Sequence, residues 1–537
     1  MTAAVWTDQQ VLNQLINETV WTLPVLRFGF PATARETVTL QGEATSFVPL
    51  DDAQQAMAVL GMAAWADLIA IPVQQTSAAA ANLRFGLTTT DIKFAHAYYP
   101  PVGSIWFNGK EAALLNPAVG NYGFSTYVHE IGHALGLNHM GNYDGEGSWQ
   151  PSSYQDSVVY SIMSYFGPEA GEGEGQVAWG NWKDAGGKII SPQTPMLNDI
   201  LAIQAIYGVS NARADNTVYG FGSTVEGATA LLYDFSINKT PILALYDAGG
   251  IDTLDLSGWS TDSHINLAPG SFSSANGMTN NLSIARNTII ENLTTGAGND
   301  KLIGNHAHNV LRGGAGDDVF VGSAGNDMLH GEDGDDTVQY AGSAADFRLA
   351  YHLSDDSHTI ADSTGAFGTD RLFSIENAIF NDVSAPVASL TPTVMRFYNP
   401  ANGSHFHTAN AQEARALYLD APEFVYEGVL FNRVLKKDST TVDVHRFFNT
   451  ATQSHFYTAD EHEAAFVQTS FPSFVYEGIA YWASAVKTQD SVEVHRFYNT
   501  QKGSHFYTAD TAEAEHVQLA LAGSYAYEGV AYYAGTA

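Results

Sequence analysis

His129, Glu130, His133 and His139 stand in one short run, His-Glu-Ile-Gly-His-Ala-Leu-Gly-Leu-Asn-His. On a helix, His129 and His133 are four residues apart, so both imidazoles leave one face toward a single point. Glu130 sits beside them, placed to hold a water polarised by a metal at that point. Gly136 can adopt positive φ and break the helix, which lets His139 swing back as a third nitrogen ligand. Three protein ligands leave a fourth position open, as a catalytic zinc requires. The chain contains no cysteine, so thiolate sites and disulfides are excluded and any zinc must sit on His, Asp or Glu. Past the third histidine, Ser161-Ile-Met-Ser-Tyr165 puts Met163 on a tight turn that would floor the histidines with an apolar group. Tyr165, two residues on, can reach the metal or an oxyanion.

A second set of candidate ligands recurs every nine residues: TGAGNDKLI (295–303), GNHAHNVLR (304–312), GGAGDDVFV (313–321), GSAGNDMLH (322–330) and GEDGDDTVQ (331–339). In such a repeat the glycines, among them Gly296, Gly298, Gly313, Gly314 and Gly316, permit tight turns and open backbone carbonyls to an ion. The sixth position supplies a carboxylate suited to calcium, a hard cation with oxygen ligands. It is occupied by Asp300, Asn309, Asp318, Asp327 and Asp336. The eighth position, Leu302, Leu311, Phe320, Leu329 and Val338, fills a narrow interior. Calcium would sit between turns two repeats apart, so Asp300 with Asp318 and Asp318 with Asp336 are the expected half-sites. Asn309 and Ala307 depart from the pattern, and the site shared with Asp327 should be weaker or absent.

These sites need elements to hold them. Asp51–Ala70 has apolar residues at helical spacing behind an Asp pair, Asn82–Leu87 and Gly103–Asn108 read as strands, and Asp199–Tyr207 reads as a helix ended by Gly208. The alternation predicts an α/β or α+β unit over 1–207. Residues 208–383, rich in Gly, Asn, Asp and Ser, form a second regime with the nonapeptides at 295–339, and 384–393 reads as a linker. Residues 394–537 hold a longer repeat in three copies, marked by Arg396, Arg446 and Arg496, by His405, His455 and His505, and by Tyr-Glu-Gly at 426–428, 476–478 and 527–529. Each copy reads as strand, strand, short helix, strand, and three copies imply a closed, pseudo-threefold module. The recurrent histidines fit packing better than metal binding; the repeated aromatics and Tyr-Glu pairs would suit stacking on a carbohydrate or cell-wall ligand.

The charge balance narrows the partners. Lys and Arg number 23 against 57 Asp and Glu, a net charge of −34, which opposes a nucleic-acid footprint and repels anionic membranes. No stretch is long and apolar enough to span a bilayer. Met1–Asp8 shows neither a basic n-region nor an apolar h-region, so no standard N-terminal signal peptide is expected.

The zinc run with the Ser-Ile-Met-Ser-Tyr turn resembles the metzincin metalloproteases, and within them the serralysin family. Phe28–Pro31, the helix ending in Ala-Ala-Trp-Ala-Asp, Gly103–Asn108 and Asp199–Gly208 carry the same resemblance, which covers roughly residues 10–340 and extends more weakly to 383. It implies an α+β zinc protease domain joined to a parallel β-roll of calcium-binding RTX nonapeptides, secreted to the extracellular medium by a type I-like route. His129, His133 and His139 would ligate zinc. Glu130 would be general base and proton shuttle, and Tyr165 a switchable fifth ligand that stabilises the tetrahedral intermediate. Gly103–Asn108 would be the edge strand on which an extended peptide pairs. Arg213, Asp215 and Thr217, with Asp247, Gly249, Gly250, Asp252 and Glu291, resemble the family's further calcium sites. The expected activity is broad-specificity hydrolysis of extracellular proteins, with residues 394–537 as a targeting module. A calcium-dependent adhesion protein with a vestigial protease is the alternative.

Overall fold

The computed structural model describes residues 3–90, 92–143, 150–170 and 177–536. It divides into two compact units, 1–336 and 337–537.

The first unit opens with α1 (Asp8–Leu15), β1 (Leu26–Gly29), β2 (Phe47–Val48), α2 (Asp52–Ala66), β3 (Val73–Gln75), β4 (Leu83–Thr88), β5 (Ala95–Ala97), β6 (Ser104–Asn108), α3 (Ala112–Leu115), α4 (Tyr122–Ala134) and α5 (Leu197–Tyr207). The sheet order is β3-β1-β4-β6-β5, with β2 paired to β4. β4 and β6 are near-continuous apolar runs, as strands covered on both faces require, and every residue of β6 is buried. β6 is therefore not the edge that the sequence suggested: β5 pairs antiparallel outside it and ends the sheet. A strand this apolar is stable only in the interior, and the less apolar Ala-His-Ala takes the border.

Asp51 starts α2 by accepting the Gln54 N–H at 2.9 Å, while the Gln54 side chain accepts the Asp51 N–H. Small residues bring α2 against α4: a β-carbon on Gly61 would lie 3.0 Å from Ile131 Cδ1. Gly208, at φ 78°, terminates α5.

Through the nonapeptides of this unit the strands are short and parallel and pair at a spacing of 18 residues. Leu293 pairs with Leu311, Leu302 with Phe320, and Leu311 with Leu329. The side chains of Leu302, Leu311, Phe320 and Leu329 are buried, which is why the apolar residue recurs every nine positions. Gly314 and Gly316 sit at φ 96° and 124°, and a β-carbon on either would strike the carbonyl oxygen of Gly296 or Gly298 at 2.1 or 2.4 Å.

The second unit begins with Thr337–Gln339 parallel to Asn377–Ile379 and with an antiparallel meander of Phe347–His352, Ser357–Asp362 and Thr369–Phe373. The expected linker at 384–393 is built into the fold instead. Ser384–Pro386 pairs with Asn377–Ile379, and Val387–Leu390 forms a helical turn whose Val387 is buried. The apolar Val387 gains more by burial than a linker gains by freedom.

Each C-terminal copy is a hairpin, a ten-residue helix and a third strand: 393–399, 404–408, 411–420 and 425–432 in the first. Adjacent copies interlock through charge-assisted pairs. Arg446 donates to Glu413, Arg496 to Glu463, and Arg396 of the first copy to Glu513 of the last. The Tyr457 hydroxyl receives the His407 N–H at 2.8 Å and donates to its carbonyl at 2.9 Å. Tyr507 does the same to Tyr457, at 3.0 and 2.6 Å.

His407 stands where the other copies have tyrosine. Its ring is fully buried and neither nitrogen has a hydrogen-bond partner among the described residues, and burial drives its pKa well below the usual imidazole value. His407→Tyr is expected to supply the third hydroxyl, to the main chain of Tyr507, and to raise stability by about 1 kcal/mol. An unchanged or lowered denaturant midpoint for the C-terminal transition would refute this.

Candidate metal centre and active site

α4 carries His129, Glu130 and His133 and begins at Asn121, whose side chain accepts the Phe124 N–H at 2.9 Å. The helix ends where Gly136 takes φ 101°, and the chain returns with His139. Each imidazole gives its Nδ1 to a backbone carbonyl: His129 to Ile162 at 2.7 Å, His133 to Leu137 at 2.7 Å, His139 to Tyr143 at 3.0 Å. That fixes the tautomer and turns each Nε2 lone pair inward. His133 and His139 Nε2 approach to 3.0 Å, and the three ligand atoms lie within 4.8 Å of one another. Nitrogens about 2.0 Å from one zinc would stand roughly 3.3 Å apart, so the spacing suits one ion.

The electrostatics agree with a metal rather than a proton. Burial, joined by repulsion from His139, pushes His129 down to about 3; burial pushes His139 down to about 4 and His133 well below the usual value. Converging neutral lone pairs are stabilised by a cation they coordinate. Glu130 is buried, on the same helix as His129 and His133. The Tyr165 ring centre lies 4.4 Å from that of His139 and 6.3 Å from that of His129. Met163 lies beneath: a β-carbon on Gly132 would meet its Sδ at 2.6 Å. Gly132, inside the zinc run, is thus required by the floor, a role that helical spacing alone did not reveal.

Three further residues escaped the sequence reading. Tyr143 stacks on Tyr165 with ring centres 4.6 Å apart, and its hydroxyl receives the Tyr165 N–H at 3.1 Å and donates to Asp156 at 2.5 Å. Asp199 is fully buried and accepts from Ser161 Oγ at 2.6 Å, Ile162 N at 2.7 Å and Met196 N at 2.8 Å. Burial raises it to about 6 despite those donors. Asp156 and Asp199 therefore bracket the Met163 turn, and Ile162, tied to Asp199, holds the His129 ring. The sequence signals were an Asp in the first turn of an otherwise apolar helix and the resemblance carried by Asp199–Gly208, neither of which revealed these contacts. Asp199→Ala would strand buried donors, so it is expected to cost about 3 kcal/mol and to weaken zinc retention through His129. A denaturation midpoint and zinc content equal to wild type would refute this.

The candidate calcium ligands fall into two groups. Along the repeats, Asp318 Oδ1 accepts the Asp300 N–H at 2.7 Å and Asp336 Oδ1 accepts the Asp318 N–H at 2.8 Å. Asp318 Oδ2 is buried with no hydrogen-bond partner among the described residues, and a β-carbon on Gly313 would overlap it at 2.1 Å. Burial and the charges of Asp300 and Asp336 push Asp318 up to about 7, and burial raises Asp327 to about 6 and Asp300 in the same direction. Oxygen donors that repel one another suit a hard divalent cation. At Asn309 the amide nitrogen instead donates to the Glu291 carbonyl at 2.9 Å, so that position offers a proton where Asp would offer an oxygen.

In the upstream group, Asp252 accepts the Thr217 N–H at 2.7 Å, and Glu291 accepts the Asp252 N–H at 2.7 Å. The Asp215 carbonyl accepts the Thr217 hydroxyl at 2.9 Å, and Gly250 packs on the same carbonyl. Burial, with repulsion from Asp247 and Glu291, raises Asp252 to about 7. Asp247 spends its oxygens on the Tyr219 hydroxyl and the Gly249 N–H, both at 2.7 Å. The Arg213 side chain is committed to Asp67 and to the Tyr246 carbonyl, so only its backbone is open to an ion.

Comparison with known proteins follows these sites. Residues 107–190 match a model of reprolysin-like metallopeptidases of family M12B, 209–361 the C-terminal part of M10 serralysins, and 393–535 a domain of unknown function, DUF5648. A serralysin of Photorhabdus laumondii is 41% identical over 285 residues, covering 50% of this chain and 56% of that protein. The metalloprotease AprA of Pseudomonas entomophila is 37% identical over 286 residues, with the same two shares of 50% and 56%. Serralysin A of Dickeya chrysanthemi is 41% identical over 298 residues, 52% of this chain and 58% of the relative. The chain thus spans a little over half the length of these relatives.

Proposed function

We propose that this chain, a serralysin-type metzincin, is a secreted endopeptidase that hydrolyses peptide bonds of extracellular proteins with broad specificity. The observation that carries the reading is the convergence of the His129, His133 and His139 Nε2 atoms beside the buried carboxylate of Glu130. Zinc held by the three histidines would supply Lewis-acid polarisation of water and of the scissile carbonyl. Glu130 takes the proton from the attacking water and returns it to the leaving amine. The Tyr165 hydroxyl donates to the developing oxyanion. The β5 edge pairs with the extended substrate backbone, which reads little side-chain identity.

We read residues 208–383 as a parallel β-roll that calcium stabilises, with Asp300, Asp318 and Asp336 as its ligands and Asp252 and Glu291 as those of the upstream site. We read 394–537 as a pseudo-threefold module closed by the Arg396–Glu513 pair. Among the described residues no helix is long and apolar enough to cross a membrane.

The test is cleavage of a casein-type substrate by purified protein, abolished by a zinc chelator and restored by zinc; no turnover in the zinc-loaded protein refutes the proposal and favours an adhesion protein. For the module, the expectation is carbohydrate or cell-wall targeting. Deleting 394–537 should reduce sedimentation with cell walls at least tenfold, in the range of an avidity loss, while sparing hydrolysis of a small peptide. Unchanged sedimentation refutes targeting.

A further inference from the structure

β5 ends the sheet next to the histidines: the ring of Tyr99, just beyond it, lies 5.7 Å from that of His133. Its backbone alternates. Phe94 O accepts from Asn108 N at 2.8 Å and Tyr98 N donates to Ser104 O at 2.9 Å, both facing β6. By the same alternation Ala95 and Ala97 turn their N–H and C=O to the outer edge. His96 and Tyr98 are two residues apart, so they share the sheet's other degree of freedom: both side chains point to one face.

On that face both meet Glu43. Its side chain is fully buried. Oε1 accepts from the Tyr98 hydroxyl and lies 2.9 Å from His96 Nε2. Oε2 accepts from the Thr39 hydroxyl and from Gln41 N at 3.1 Å. The Glu43 carbonyl accepts the Thr88 hydroxyl at 2.9 Å, which ties the same residue to β4. One residue therefore joins three parts of the fold: its buried carboxylate ties the 39–41 segment to the edge strand, and its main-chain carbonyl ties it to β4. An edge strand of three residues, bonded on one side only, has little of its own to hold its position.

We propose that Glu43 is a positioning residue that clamps β5 from behind, through His96 and Tyr98, and so presets the outer edge for pairing with an extended peptide. This rests on the endopeptidase reading above. Glu43 touches no ligand of the candidate zinc site, so its loss acts on substrate alignment and leaves proton transfer by Glu130 in place.

The test is steady-state kinetics of the full-length, zinc-loaded protein on an eight-residue peptide long enough to pair along β5 and on a short peptide that reaches only one residue of it. Glu43→Ala is expected to raise KM for the long peptide about tenfold, within the cost of a misplaced substrate, with kcat and short-peptide kinetics within twofold of wild type. Glu43→Gln, which keeps one acceptor oxygen, should recover part of the loss. Tyr98→Phe, which removes a single bond, gives the same length-dependent change in smaller measure if Glu43→Ala does not fold. A variant equally impaired on both peptides, or unimpaired on the long one, overturns the clamp alone. A wild type that cleaves neither peptide overturns the clamp together with the endopeptidase reading.

Discussion

Exchanging Glu130 for Gln is expected to lower kcat/KM by about 10³-fold, within the range general-base catalysis contributes, while zinc content stays at one per chain. The side chains are isosteric, and Glu130 is not among the three converging nitrogens, so the metal should remain and the fold should hold. What disappears is the α4 carboxylate proposed above to accept a proton from water and return it. The burial of Glu130 matters here, since a carboxylate shielded from bulk water keeps its proton transfer local. Kinetics on a casein-type substrate together with metal analysis checks this. Activity within twofold of wild type would remove Glu130 from the mechanism, and loss of zinc with activity would make it a structural residue.

Removing calcium from the proposed roll sites is the second large expected effect, and its size depends on pH. Without the ion, Asp318 and Asp252 stand at about 7 and Asp327 at about 6; in the unfolded chain they return to the ordinary carboxylate value near 3.9. Between about pH 4 and 7 the ion-free fold holds protons that the unfolded chain has released, so its stability falls as pH rises. Calcium displaces those protons and binds more tightly as pH rises through the same window. Chelation at pH 8 is therefore expected to remove about 4 kcal/mol for each site kept at a thousandfold its Kd, and much less at pH 5. Asp318→Asn should lower the calcium-loaded stability at pH 8 and raise that of the chelated protein, because the repelling charge is gone. Thermal unfolding with and without chelator at the two pH values checks both signs; a transition indifferent to calcium at pH 8 would refute them.

Much of the site was legible because its chemistry is local. His129, Glu130 and His133 lie on one helix and Gly136 is a turn away, so spacing alone brings them together. The nonapeptide register was legible for the same reason: a repeat of nine places each apolar residue beside the one eighteen back, as Phe320 beside Leu302. The supports were not legible. Asp199 reaches Ser161 across 38 residues and Glu43 reaches Tyr98 across 55, and no local pattern encodes such a meeting.

The sequence by itself determined the metal chemistry, the repeat periods and the absence of thiolate ligands, because those depend on residue type and on spacing within one element. Only the tertiary structure decided which strand is the edge, that 384–390 is built into the fold, and that Asp156 and Asp199 bracket the Met163 turn. These depend on which buried surfaces meet. A buried carboxylate is tolerated only where donors from distant segments converge on it, and that convergence exists only once the chain has folded.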